Sequence, residues 1–222
     1  MTSEREHATP SDPGLAEILG GRSGAVDATA PVVAFVLVWL LVDASGVASS
    51  IRWAAGAAVV AAAAIAAFRL ARGGRPRAVL LGLLGVAAAA TIALYTGRAE
   101  DFFLLQIVSN MASALVWAVS IVIRWPLLGL VVGGLLGQRT RWRRDPDLVR
   151  GYQRASWAWV AQYAVRLAVF LPLYAAEQVV WLGVARAVVS PALVALSVLV
   201  SWPLLRTALP ADHPGIRHPR SP

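Results

Sequence analysis

Arg166 has the strongest claim to chemistry: an arginine inside the apolar run from Trp157 to Ala176. Gln162 stands four residues earlier, which puts both on one helix face, with Trp159 close by. An ionised side chain at mid-membrane is costly and usually faces a bundle interior. As a functional group, Arg166 would hold an anion or a lipid headgroup, or serve a proton-linked pathway. As a structural group, it would pair with an acid to fix helix register, or snorkel outward. Its counter-ions would come from Asp43, Glu100, Asp101 and Glu177. Asp43 and Asp101 come first, because a long guanidinium can reach acids at helix ends.

Other polar groups are sparser. Gly97-Arg98-Ala99-Glu100-Asp101-Phe102-Phe103 is charged and then aromatic. Its adjacent carboxylates could bind a cation, but neighbours in sequence point apart on a helix, which favours capping of the helix that follows. Asn110 reads as a buried interhelical hydrogen-bonding residue. Asp27 with Pro31 reads as a helix start, an acid at the N-cap and a proline in the first turn. Arg139, Arg141, Arg143 and Arg144 form a basic run suited to anionic lipid headgroups, at about 1 kcal/mol per arginine near the surface. The same run would also set topology.

Composition removes whole classes of activity. There is no cysteine and no lysine, so the sequence offers no disulfide, thiolate metal site or Schiff base. His7, His213 and His218 all lie in the tails, so no histidine can hold a haem or metal inside a membrane. No cofactor or metal is expected. A net charge of +8 in a chain that is 58% hydrophobic, with the basic residues beside apolar runs, points to anionic lipid and away from nucleic acid.

The elements that must position these residues are membrane helices. Six spans are predicted: Ala28 to Val47, Trp53 to Leu70, Val79 to Thr96, Phe102 to Ile123, Trp157 to Ala176, and Ala187 to Leu205. Each is close to the roughly 20 residues that cross a bilayer as a helix. Pro126 to Gly137 is apolar but would reach only about 18 Å, short of a core of roughly 30 Å. With that segment not crossing, sixteen arginines fall on one side and three (Arg52, Arg98, Arg186) on the other. That bias puts the rich side and both termini in the cytoplasm. The segment is therefore read as a short re-entrant or interfacial helix, and Gly129, Gly133 and Gly137 would give it a bare face for close helix packing. Trp53 and Trp181 at one boundary, and Trp125, Trp142, Trp157 and Trp202 at the other, read as aromatic belts. Arg124-Trp-Pro-Leu-Leu is echoed by Ser201-Trp-Pro-Leu-Leu, a hint of tandem hairpins.

The fold class is thus all-α: a polytopic helical bundle of about six transmembrane helices plus one short helix. Residues 1–27 form a cytoplasmic tail without a signal-peptide pattern, so the first span would be an uncleaved anchor. Residues 28–205 form the membrane domain. Residues 206–222 form a cytoplasmic tail whose Pro, His and Arg content predicts disorder.

The chain resembles an actinobacterial membrane family, domain of unknown function three-one-five-nine, from about Leu15 to Leu205. The resemblance rests on Val26-Asp27 with Pro31, Thr96-Gly97-Arg98 leading into Asp101-Phe102-Phe103-Leu104, and Arg124, Pro126-Leu127 and Gly129. It continues through Trp142-Arg143 with Asp145-Pro146, then Tyr152 to Trp159 followed by Arg166, Pro172, Leu173 and Tyr174. A more distant resemblance to the intracellular septation protein A family rests on the acid-then-proline start, Pro126-Leu127, and Arg154-Ala155-Ser156-Trp157-Ala158-Trp159. It implies a role in the envelope or in division and identifies no chemistry. The expected function is a non-enzymatic scaffold of the plasma membrane that acts through helix packing, lipid contact and protein partners. The alternative is a small transporter or channel using Arg166. A membrane enzyme on a lipid or prenyl substrate is third, because clustered aspartates or a positioned nucleophile and base are missing from the sequence. Oligomeric state is not legible.

Overall fold

The computed structural model describes residues 21–210, 212–217, 219 and 220, with side chains from Thr29 onward. All regular structure among them is helical. In chain order, α1 is Gly21–Ala44, α2 Ser50–Ala71, α3 Pro76–Thr96, α4 Leu104–Val122, α5 Leu127–Leu135 and α6 Pro146–Ala175. The last helix, α7, is Val179–Ala208. Short 3₁₀ turns at Ala99–Phe103 and Arg141–Arg144 precede α4 and α6.

Helices α2, α3, α6 and α7, and the stretch Ala99–Val122 that contains α4, are long and apolar enough to cross a membrane; from Thr29, α1 is a shorter apolar helix. The protein is a membrane-spanning helical bundle. Its exterior is apolar: Leu41, Val60, Leu81, Val122 and Leu199 are all exposed. Lipid tails are as apolar as a leucine core, so close packing and buried polar bonds hold such a bundle together more than burial itself.

Helix α1 packs on α2, α2 on α3, and α6 on both α4 and α7. Two cores result. Toward the end bearing the α3–α4 turn, Phe35 stacks on Phe102 with centroids 4.0 Å apart, and Phe103 meets both edge-on. Phe170, Leu182 and Ala54 complete that core. Toward the arginine-rich end, Trp142 meets Tyr152 edge-on at 5.4 Å, among Leu128, Leu148 and Leu205.

Helix α5 has nine residues and spans about 14 Å. Gln153 of α6 donates to the Ile121 carbonyl of α4 at 3.0 Å, so the end of α4 and the start of α6 lie at the same end of the bundle. The chain between them therefore does not cross. The three spaced glycines here serve another purpose than expected. A Cβ on Gly129 would come within 2.8 Å of the Trp142 ring, and one on Gly133 within 2.7 Å of both that ring and the Arg139 carbonyl. They seat an indole from the next turn instead of a neighbouring helix. Gly137 has a φ of +66° and makes the turn. Trp142 is fully buried, so it belongs to the core and not to an aromatic belt; Trp53, Trp125, Trp157, Trp181 and Trp202 are exposed.

Four further expectations change. The backbone is helical from Gly21, so Asp27 lies inside α1 instead of capping it. The last span begins at Val179, not Ala187, which draws Arg186 from a loop into a helix. The two Trp-Pro-Leu-Leu motifs differ in structure: Pro126 opens α5 after a break at Arg124 (φ +56°), whereas Pro203 lies within α7. Finally, the tail expected to be disordered is docked. Gln138 donates to the carbonyls of Ile216 and Arg217, both at 2.9 Å, and His213 reaches Asp145. Residues 1–20 lie outside the described chain.

Candidate functional site

Arg166 faces the bundle interior and is 7% exposed. Its guanidinium donates to the Ser190 carbonyl at 2.7 Å and to Gln162 Oε1 at 3.4 Å, and lies 5.4 Å from the Tyr163 ring centroid. Gln162 is placed by the i, i+4 spacing. The Ser190 carbonyl lies beside a local irregularity. Pro191 has no N–H to give the turn before it, and the helix widens to a π turn over Ala185–Val189, where the Ser190 N–H reaches back five residues to Ala185. Among the described residues no carboxylate pairs with Arg166, and its Nε has no partner.

The expected counter-ions lie elsewhere. Asp101 accepts a hydrogen bond from the Tyr174 hydroxyl. Glu100 accepts from Arg98 Nε at 2.6 Å, and Arg98 also reaches Glu177 at 3.5 Å. Glu100 holds the Arg98 guanidinium above its ordinary pKa. Asp43 accepts from Ser50 Oγ at 3.4 Å. Asp43, Glu100, Glu177 and Arg98 line one polar cup of about 480 Å³ at the end opposite the basic run. Sequence alone assembled these acids around the wrong arginine. Nor do Glu100 and Asp101 cap α4, whose N-cap residue, Phe103, makes no side-chain bond. Asp101 instead ties the turn to α6, and Glu100 bonds Arg98 within it.

Asn110 is buried as expected, but its carbonyl accepts from Gln106 of the same helix at 3.1 Å, and its Nδ2 has no partner. Arg139, Arg141, Arg143 and Arg144 are exposed at one end of the bundle, with Arg143 3.8 Å over the Trp125 ring. That placement suits contact with headgroups.

Sequence reading missed three groups. Asp145 is 1% exposed and caps α6 by accepting from the Asp147 and Leu148 N–H groups. It also accepts from the Arg220 N–H at 2.8 Å and contacts His213 Nε2 at 2.8 Å. An acid directly before Pro146 was the available signal, since that pair opens helices. Gly183 lets α7 approach α1 closely: a Cβ there would be 2.7 Å from Val36 Cγ2. Arg186 was misplaced because the span was started one residue after it, although the apolar run continues back through Val184, Leu182 and Trp181 to Val179.

The chain belongs to the family described as Protein of unknown function (DUF3159), which matches residues 19–212. No curated protein and no solved structure matches it.

Proposed function

We propose that this family member is a non-enzymatic scaffold of the cell envelope, spanning the plasma membrane with the arginine-rich end and both termini in the cytoplasm. One observation carries the reading: Arg166 is held by the Ser190 carbonyl and Gln162, with no acid beside it among the described residues. A proton-linked or ion-coupled transporter built on Arg166 needs a titrating or ion-carrying partner at that depth. Of the acids that could serve, Asp43, Glu100 and Glu177 line a cup at one end of the bundle and Asp101 is bonded to Tyr174. An arginine bonded to the carbonyl at a π turn instead ties α6 to α7 and fixes their register. The exposed apolar sides and the basic end leave the outer surface free for lipids and envelope proteins.

The test is Arg166→Leu, expressed in the native host. An arginine at mid-membrane costs at least about 2.5–3.5 kcal/mol on insertion scales, so removing it lowers the insertion cost while breaking the α6–α7 tie. The expected result is a lower melting temperature and less folded protein, with envelope defects in proportion to the protein lost. Folded, abundant protein that no longer functions, together with solute or proton flux in proteoliposomes of the wild type alone, would establish the transporter instead.

A further inference from the structure

We propose that the cleft between α3 and α4 binds an anionic phospholipid, with Arg186 as the deep cation that receives its phosphate. Arg186 lies seven residues into α7, about 10 Å from its start, among residues of α1, α3 and α4. Among the described residues it makes no hydrogen bond and no ion pair, unlike Arg166. A guanidinium carries five donors and a permanent charge. Left alone at this depth it is costly, and an anion is the group that offsets the cost.

The space beside it is formed by the fold. Two cavities of about 210 and 240 Å³ adjoin, and Gly82, Val86 and Arg186 line both. Helices α3 and α4 scarcely touch, because the 3₁₀ turn between them sinks Phe102 and Phe103 into the core and splays the two helices. A Cβ on Gly82 or Gly85 would meet nothing within 4 Å. These glycines leave a cleft open, whereas Gly129 and Gly133 are filled by an indole.

The lining says what fits. The first cavity extends from Arg186 to Arg69, near the last turn of α2 at the arginine-rich end. Two cations thus border one cavity. The second cavity has apolar walls, Leu81 and Ala89 on one side and Leu105 on the other, with Gln106 and Ser109 as its polar side chains besides Arg186. A cation at the head and an apolar slot for the tail are complementary to an amphiphilic anion. A membrane lipid supplies both parts, whereas a soluble phosphate uses only the first.

The experiment compares wild type, Arg186→Gln and Gly85→Leu, purified in mild detergent and exchanged into nanodiscs of phosphatidylcholine with or without phosphatidylglycerol. Retained lipid is read by native mass spectrometry and stability by thermal melting. Wild type is expected to retain phosphatidylglycerol selectively and to melt higher in its presence. Arg186→Gln should lose that retention by roughly tenfold, the effect of one charge-assisted hydrogen bond. Gly85→Leu should lose it by filling the slot. Arg52→Gln, exposed at the opposite end of the bundle, should retain it. Equal retention in folded Arg186→Gln overturns the proposal. If that variant does not fold, unchanged retention in Gly85→Leu overturns it. Selective retention of free fatty acid or inorganic phosphate in place of phosphatidylglycerol overturns the phospholipid assignment. These readouts are independent of Arg166, so the scaffold reading stands or falls separately.

Discussion

At the scale of single residues, the arginines at 166 and 186 show how similar side chains in neighbouring helices take opposite roles. One of them bonds the Ser190 carbonyl, just past a π turn; the other faces a cleft. Asp145 is the third decisive residue. Burial pushes its carboxyl up, but the N–H of Arg220, the His213 ring and the N–H of Leu148 more than offset this and hold it below the ordinary value of 3.8. The Gly215 N–H donates to His213 Nδ1, so Nε2 carries the proton given to Asp145. Because the folded value is depressed, this contribution is fully present above the ordinary carboxyl value and fades as pH falls through the lower folded one. Tail docking, followed by hydrogen exchange of residues 212–217, is therefore expected to hold at neutral pH and to weaken below about pH 4. Asp145→Asn keeps a cap acceptor but loses the charge. It should weaken docking by about 1–3 kcal/mol and speed trypsin cleavage after Arg217. Unchanged cleavage would mean the tail is held elsewhere.

At the scale of elements, matching patterns have different consequences because their neighbours differ. Gly133 faces Trp142 and the Arg139 carbonyl; Gly82 faces open space. Gly133→Leu should therefore lower the melting temperature in detergent free of phospholipid by several degrees, the effect of overpacking by about 1–3 kcal/mol, and Gly82→Leu should leave it nearly unchanged there. Equal losses would remove the special role of the indole seat. The two Trp-Pro-Leu-Leu segments diverge for a similar reason. Ser120 Oγ accepts from the Leu127 N–H beyond the break, which supports a new helix start. Ser201 Oγ instead donates to the Ser197 carbonyl and receives Trp159 Nε1, which keeps α7 continuous and anchored to α6. Trp159 also stacks on Trp117 of α4 at 5.0 Å. The family resemblance marked Trp159, but its partners come from helices distant in sequence.

For the whole molecule, the question is sidedness. Single cysteines can be introduced into a chain that has none. With α5 not crossing, Arg75→Cys and Arg144→Cys lie at the same end of the bundle and Ser45→Cys at the other. In intact cells an impermeant thiol reagent should label Ser45→Cys and spare the other two. Labelling of Arg144→Cys but not Arg75→Cys would require a crossing between them and would contradict the tie from Gln153 to Ile121.

The sequence by itself determined the class, the number of helices, and the short helix that stays at one end. These follow from local quantities: the length of apolar runs, the fixed rise per residue and the distribution of arginines. It also placed Gln162 beside Arg166, because that spacing is set within one helix. Only the tertiary structure decided that Asp43, Glu100 and Glu177 share a cup away from Arg166, and that Asp101 bonds Tyr174. It alone decided that Trp142 fills a glycine seat, that the C-terminal tail docks on Asp145, and that Arg186 stands in a cleft. Each of these depends on which faces of which helices meet, and in lipid that is settled by close packing and polar pairing between distant segments, not by a hydrophobic pattern every span shares.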